Sequence, residues 1–144
     1  MHESFSIINK SKGKLPSLPF EKMKDDILGK KYSLSIAFVD KKTSQRINKK
    51  YRKKDKATNI LSFSLRKNEG ELILCPMVIK KEAENFFKNF SQFTGFLLIH
   101  GMLHLKGMKH SSTMEKAENK YDQKYFSRNR RRVLDHENRG GRIL

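Results

Sequence analysis

Three histidines, His100, His104 and His110, stand in the segment Ile99-His-Gly-Met-Leu-His-Leu-Lys-Gly-Met-Lys-His110. Residues four apart lie one above the other on a single helix face, so the first two imidazoles can reach one small cation. Gly107 lets the chain leave the helix in a tight or left-handed conformation, which swings His110 back toward the other two rings. Three neutral nitrogens leave one position of a tetrahedral zinc ion open, the arrangement of a catalytic site and not of a structural one. A chain with five histidines can place two at helical spacing by chance. The third histidine, set off by a glycine on an otherwise apolar segment, is what favours a site for one zinc per chain. His2 and His136 have no partner at ligand spacing and are expected to be solvated.

The elements that must position these side chains can be read from patterning. Glu3 to Asn9 alternates weakly, as an edge strand would. Pro16 and Pro19 bracket a helix start that Ser17 could cap, with Phe20 to Leu28 as the helix and Gly29 closing it. Leu34, Ile36 and Phe38 alternate with Ser33, Ser35 and Ala37, which predicts a half-buried strand over Tyr32 to Val39. Thr43 to Tyr51 is expected to be a helix with Ile47 and Tyr51 facing in. Asn59 to Leu65 and Glu71 to Cys75 read as two strands joined by a loop containing Asn68 and Gly70. A helix from Val78 to Phe87 follows, then a break at Asn89-Phe90-Ser91. Phe93 to Leu105 is the apolar helix carrying two of the histidines, and Thr113 to Phe126 a final amphipathic one. The implied fold is α+β: a single domain over residues 1–126, a small mixed β-sheet packed with helices, and a zincin-like metal-bearing helix. Residues 127–144 read as a basic, flexible tail.

The 144 residues suffice for one domain with a real core. Lys+Arg 32 against Asp+Glu 15 gives a net charge of +17, an excess that attracts polyanions, of which nucleic acid is the usual one. No long apolar run or Trp-bearing amphipathic segment supports a membrane, and the first residues lack the layout of a signal peptide. A cytoplasmic location is expected. Cys75 is the single cysteine, so no intrachain disulfide can form; in its apolar setting a buried structural thiol is a better expectation than a nucleophile.

The register of His100, His104, Gly107 and His110 coincides with that of metzincin proteases, which place a glutamate general base directly after the first histidine. Here that position is Gly101, which cannot move a proton. A different match is better. Tyr51-Arg-Lys-Lys-Asp-Lys-Ala-Thr-Asn-Ile-Leu-Ser-Phe63, together with His100 to His110, resembles the YbeY family of metal-dependent endoribonucleases of rRNA maturation. That resemblance covers most of residues 30 to 126. It implies that His100, His104 and His110 are metal ligands and that Arg52 is the catalytic arginine. A guanidinium fork can bind two phosphoryl oxygens as charge develops on them. It further implies a zinc-dependent, single-strand-specific endoribonuclease acting on the 16S 3′ end and in ribosome quality control. The implied partners are rRNA in the small ribosomal subunit, an assembly GTPase and a ribosomal protein. Alternatives are a non-catalytic zinc-bearing assembly factor, or a metal-dependent hydrolase of another substrate. Thr58, Asn59 and Ser62 are expected to shape the loop and strand entry more than to touch substrate. Tyr51 and Phe63 offer rings on which bases could stack, although core packing is the commoner fate. Four positions depart from the family pattern. Lys109 stands for the usual Asp beside the third histidine, Ser64 for Pro, Glu71 for Asp after Gly70, and Asn59 for Asp.

Overall fold

Alternation of Leu34, Ile36 and Phe38 does produce a strand, and it lies inside a four-stranded mixed sheet. The computed structural model describes the backbone of residues 4–137 and the side chains of residues 4–126. Five helices and four strands follow in the order β1 (Phe5–Asn9), α1 (Phe20–Leu28), β2 (Ser33–Phe38), α2 (Lys41–Arg52), β3 (Ile60–Arg66), β4 (Glu69–Leu74), α3 (Pro76–Asn85), α4 (Phe90–Leu105) and α5 (Ser112–Glu137). The sheet order is β1-β2-β4-β3. β1 pairs parallel to β2 and β2 parallel to β4, while β3 returns antiparallel to β4 through a two-residue turn. β1, α1 and β2 form one βαβ unit, which the weak alternation of β1 conceals in the sequence.

Period-two alternation sends Leu34, Ile36, Phe38, Leu72 and Leu74 to one face, where they form the main core with Met23 and Ile27 of α1, Ile79 of α3, and Leu98 and Met102 of α4. The opposite face carries a small cluster of Val39, Leu61 and Ile73 under Ile47 of α2. Inward positions of α2 are polar instead: Ser44 and Asn48 are its buried residues, and Tyr51, expected inside, is exposed. The reason is the loop after α2. Ser44 Oγ accepts from the Thr58 N–H at 2.9 Å and donates to the Thr58 carbonyl at 3.0 Å, and Asn48 donates to the Lys56 carbonyl at 2.9 Å. Buried backbone needs such partners, and here a helix supplies them.

Helix ends differ from expectation for local reasons. Ser17 makes no cap; Pro19 is the N-cap of α1, and its carbonyl accepts from Met23. α3 begins two residues early because Pro76 suits the first helical turn. The break foreseen at Asn89 is an N-cap: Asn89 and Gln92 exchange side-chain and backbone hydrogen bonds in a capping box, so α4 starts at Phe90. Gly70 belongs to β4 and not to the hairpin loop. A Cβ there would stand 2.4 Å from the Tyr32 hydroxyl and 3.0 Å from Leu105. α5 runs on past Phe126, whose φ of −129° kinks it, to Glu137. Of the basic tail, residues 138–144 lie outside the described residues, as does His2, and the side chain of His136 is likewise not described.

α5 is stapled to α1 by one carboxylate. The Tyr125 hydroxyl donates to Asp26 Oδ2 at 2.7 Å, with Lys124 and Lys22 at 3.1 and 3.4 Å. The Tyr125 hydrogen bond, with the two lysines, holds the Asp26 carboxyl below its ordinary value of 3.8 despite partial burial. A depressed folded-state pKa stabilises the fold above the unfolded pKa and ceases to do so as pH falls through the folded value. Tyr125→Phe should therefore cost about 1–2 kcal/mol at pH 7 in urea unfolding. The gap to wild type should shrink below roughly pH 4. A gap constant down to pH 2 would assign the loss to packing alone.

Candidate metal centre

α4 brings His100 and His104 to the end of the sheet beside β3, and its C-terminus delivers His110. Lys106 is the C-cap, and the two bonds of a Schellman turn follow: the Gly107 N–H to the His104 carbonyl at 2.9 Å and the Met108 N–H to the Leu103 carbonyl at 3.0 Å. Gly107 has φ of 108°, and a Cβ there would meet nothing within 4 Å, so its role is purely torsional. Gly101 is a glycine for the other reason. A Cβ on it would lie 2.9 Å from both Ile60 Cδ1 and Leu72 Cδ2, and 3.2 Å from Ser62 Oγ. A glutamate at this position would be driven into the sheet, which removes the protease base on steric as well as chemical grounds.

The three rings converge as the spacing led us to expect. Ring centroids lie 4.5 Å apart for His100–His104, 5.1 Å for His100–His110 and 4.9 Å for His104–His110. One ligand atom from each falls within 4.8 Å of the others. The outer nitrogens set the tautomers. Glu118 Oε2 lies 2.5 Å from His100 Nδ1, and the Met108 carbonyl accepts from His104 Nδ1 at 3.0 Å. The bond to the Met108 carbonyl leaves the His104 Nε2 with its lone pair, and the His100 Nε2 stands 3.0 Å from it. Nitrogens sharing a tetrahedral zinc at 2.0–2.1 Å stand about 3.3–3.4 Å apart, close to what is seen. Burial first, then the neighbouring His100, hold the His104 imidazole below its ordinary pKa of 6.5, so it is neutral and able to ligate at pH 7.

Glu118 was not found from the sequence, although a signal exists. It interrupts the apolar stripe Met114, Ala117, Tyr121 and Tyr125 of α5, and it is only 8% exposed. A buried carboxylate on an apolar face asks for a polar partner, and His100 is that partner.

A cleft of about 490 Å³ opens over the histidines, and Arg52, Asn59, Ser62 and Ser64 line it with them. Arg52, at the last turn of α2, donates from Nη2 to the Ser62 carbonyl at 3.1 Å. Asn59 and Ser62, expected to shape the strand entry, both line the cleft. Asn59 also donates to Glu82 Oε1 at 2.8 Å. Asp55 is structural, accepting from Gln45 at 3.0 Å, and Thr58 is tied to Ser44. Lys109 is exposed and does not line the cleft. Glu71 alternates with core Leu72, so it lies on the opposite sheet face. Cys75 is fully buried, as expected.

The family model described as "Endoribonuclease YbeY" matches residues 9–129. The chain belongs to the YbeY family. Endoribonuclease YbeY of Staphylococcus carnosus is 37% identical over 110 residues, covering 68% of this chain and 69% of the relative. That of Staphylococcus epidermidis is 37% identical over 115 residues, covering 70% and 74%. The solution structure of TM1509 from Thermotoga maritima superposes with a TM-score of 0.67 at 23% identity, over 89% of this chain and 93% of that one, and shows the shared fold. The YbeY resemblance first carried by two short motifs thus extends over most of the chain.

If Glu118 orients His100 toward a metal, Glu118→Gln should weaken zinc affinity about 10- to 100-fold in competition with a chelator, with the fold retained. Unchanged affinity would reduce Glu118 to a packing role.

Proposed function

We propose that this chain is a zinc-dependent, single-strand-specific endoribonuclease of rRNA maturation, acting at the 16S 3′ end and in ribosome quality control. The observation that carries this is the convergence of His100, His104 and His110, one ligand atom of each within 4.8 Å of the others, with Arg52 lining the same cleft. Nitrogen donors of this kind and number suit zinc, with one coordination position left for water or phosphate. A zinc ion there would lower the pKa of a bound water toward neutrality or polarise the scissile phosphate.

The chain's own residues do the rest. Glu118 and the Met108 carbonyl fix the two ring orientations, which pre-organises the cradle. Arg52 exchanges its bond to the Ser62 carbonyl for the phosphoryl oxygens, where a planar fork can take two at once. Exposed Lys49, Lys50, Lys53, Lys54 and Lys56 around the end of α2 hold the RNA backbone electrostatically. In this reading α4 is a zincin-like metal helix without the protease base. Residues 1–126 form the nuclease domain, and residues 127–144 are a basic RNA-binding extension. The implied setting is the small ribosomal subunit in the cytoplasm, with an assembly GTPase and a ribosomal protein as partners. No described helix is long and apolar enough to cross a membrane.

One zinc per chain should co-purify. Arg52→Ala should keep it, and keep the melting temperature, while losing nearly all cleavage of single-stranded RNA; Arg52→Lys should restore only part. Protein that neither holds zinc nor cuts RNA would defeat the proposal, and equal cutting by Arg52→Ala would remove Arg52 from it. Removing residues 128–144 should weaken RNA binding and flatten its dependence on salt, since fewer counterions are released, with zinc content unchanged. An unaltered salt slope would exclude the extension from RNA binding.

A further inference from the structure

Tyr51 is 56% exposed, although it lies in the last turn of a helix that packs against the sheet through Ile47. Its ring meets Phe63 edge-to-face, centroids 5.4 Å apart and planes at 67°. Phe63 in turn lies 5.9 Å from the Arg52 guanidinium carbon, and Arg52 lines the cleft over the histidines. Phe63 packs with the Val39, Leu61 and Ile73 cluster outside the cleft, and Arg52 reaches from beside it into the cleft, so the exposed tyrosine is the chain neighbour of the arginine that faces the histidines. A T-shaped contact engages at most one face of the tyrosine ring and leaves the other open. Lys50 Nζ, 5.2 Å from the Tyr51 centroid, belongs to an exposed flexible side chain that can move to a phosphate. Lys49, Lys53 and Lys54 are near it in the chain and also exposed, Lys49 with Asp55 at 3.8 Å.

An open aromatic face flanked by cations is what holds single-stranded nucleic acid: the base stacks and the backbone is neutralised. An apolar protein partner would need a wider apolar patch than one ring among lysines. We propose that Tyr51 is a base-stacking platform for the nucleotide next to the phosphate held by Arg52, and that it contributes to the choice of single strands. A duplex keeps its bases stacked on each other and offers none to the ring. This rests on the nuclease reading above and adds a specificity-determining residue to it.

The chain has no tryptophan, so Tyr51→Trp creates a single fluorescent reporter. Stopped-flow mixing of the full-length variant with a short single-stranded oligoribonucleotide should quench its emission before cutting begins. Inorganic polyphosphate, which has charge but no bases, should not. Tyr51→Leu keeps the apolar cover of Phe63 but offers no π-face. It should bind the oligoribonucleotide roughly tenfold more weakly than wild type while binding polyphosphate equally well. Replacing successive nucleotides by abasic ones should reproduce the tenfold loss in wild type at one position, and leave Tyr51→Leu unchanged there. Equal binding of the oligoribonucleotide by wild type and Tyr51→Leu would overturn the platform, as would a loss shared by polyphosphate. In either case, wild-type cutting of the same RNA would leave the nuclease reading standing. Quenching by a protein that cuts nothing would support the platform and overturn the nuclease.

Discussion

Helix α4 rests on the sheet with Gly101 directly over Ile60, Leu72 and Ser62, and the geometry of the cleft follows from that contact. Because no side chain intervenes, the helix backbone lies close to β3 and β4, and His100 and His104 inherit a fixed height above Ile60 and Ser62. Arg52 is hung from the carbonyl of Ser62 on the same strand. The histidine cradle and the guanidinium are thus referenced to one piece of β-sheet, and not to separate loops. Helix-to-strand placement of this kind is more precise than loop placement. The cost falls on the residue after the first histidine, which has no room to be anything large.

How much of this could be seen in the sequence depends on the kind of force involved. Strand β2 and the histidine spacing were legible because periodicity and burial coincide there, with Leu34, Ile36 and Phe38 all on the core side. α2 misled for the opposite reason. Ile47 packs inward as expected, but the buried positions are Ser44 and Asn48, which satisfy backbone groups of the following loop, so hydropathy pointed wrongly to Tyr51. Gly70 looked like a turn residue, and only the three-dimensional neighbours, Tyr32 and Leu105, reveal a close-packing glycine inside a strand. Glu118 lies eighteen residues from His100, and no local pattern links them. The helix starts at Pro76 and Phe90 were each displaced because capping chemistry, not apolar periodicity, sets where a helix begins, whereas α1 begins at Phe20 as the sequence reads.

The turn after α4 serves two ends with one backbone path. Met108 donates its N–H back into the helix at Leu103, while its carbonyl receives the proton-bearing nitrogen of His104. The chain reversal that returns His110 is therefore the same event that aims the Nε2 lone pair of His104. Neither function can be altered alone, since both hang on the left-handed torsion at Gly107.

Asn59 stands 2.8 Å from Glu82 with its amide nitrogen toward the carboxylate. The corresponding family position usually carries an aspartate, which could not donate and would set two carboxylates against each other at that distance. The amide at 59 and the acid at 82 therefore work as a pair: what the chain gives up in charge at the cleft it recovers as an anchor between the start of β3 and α3.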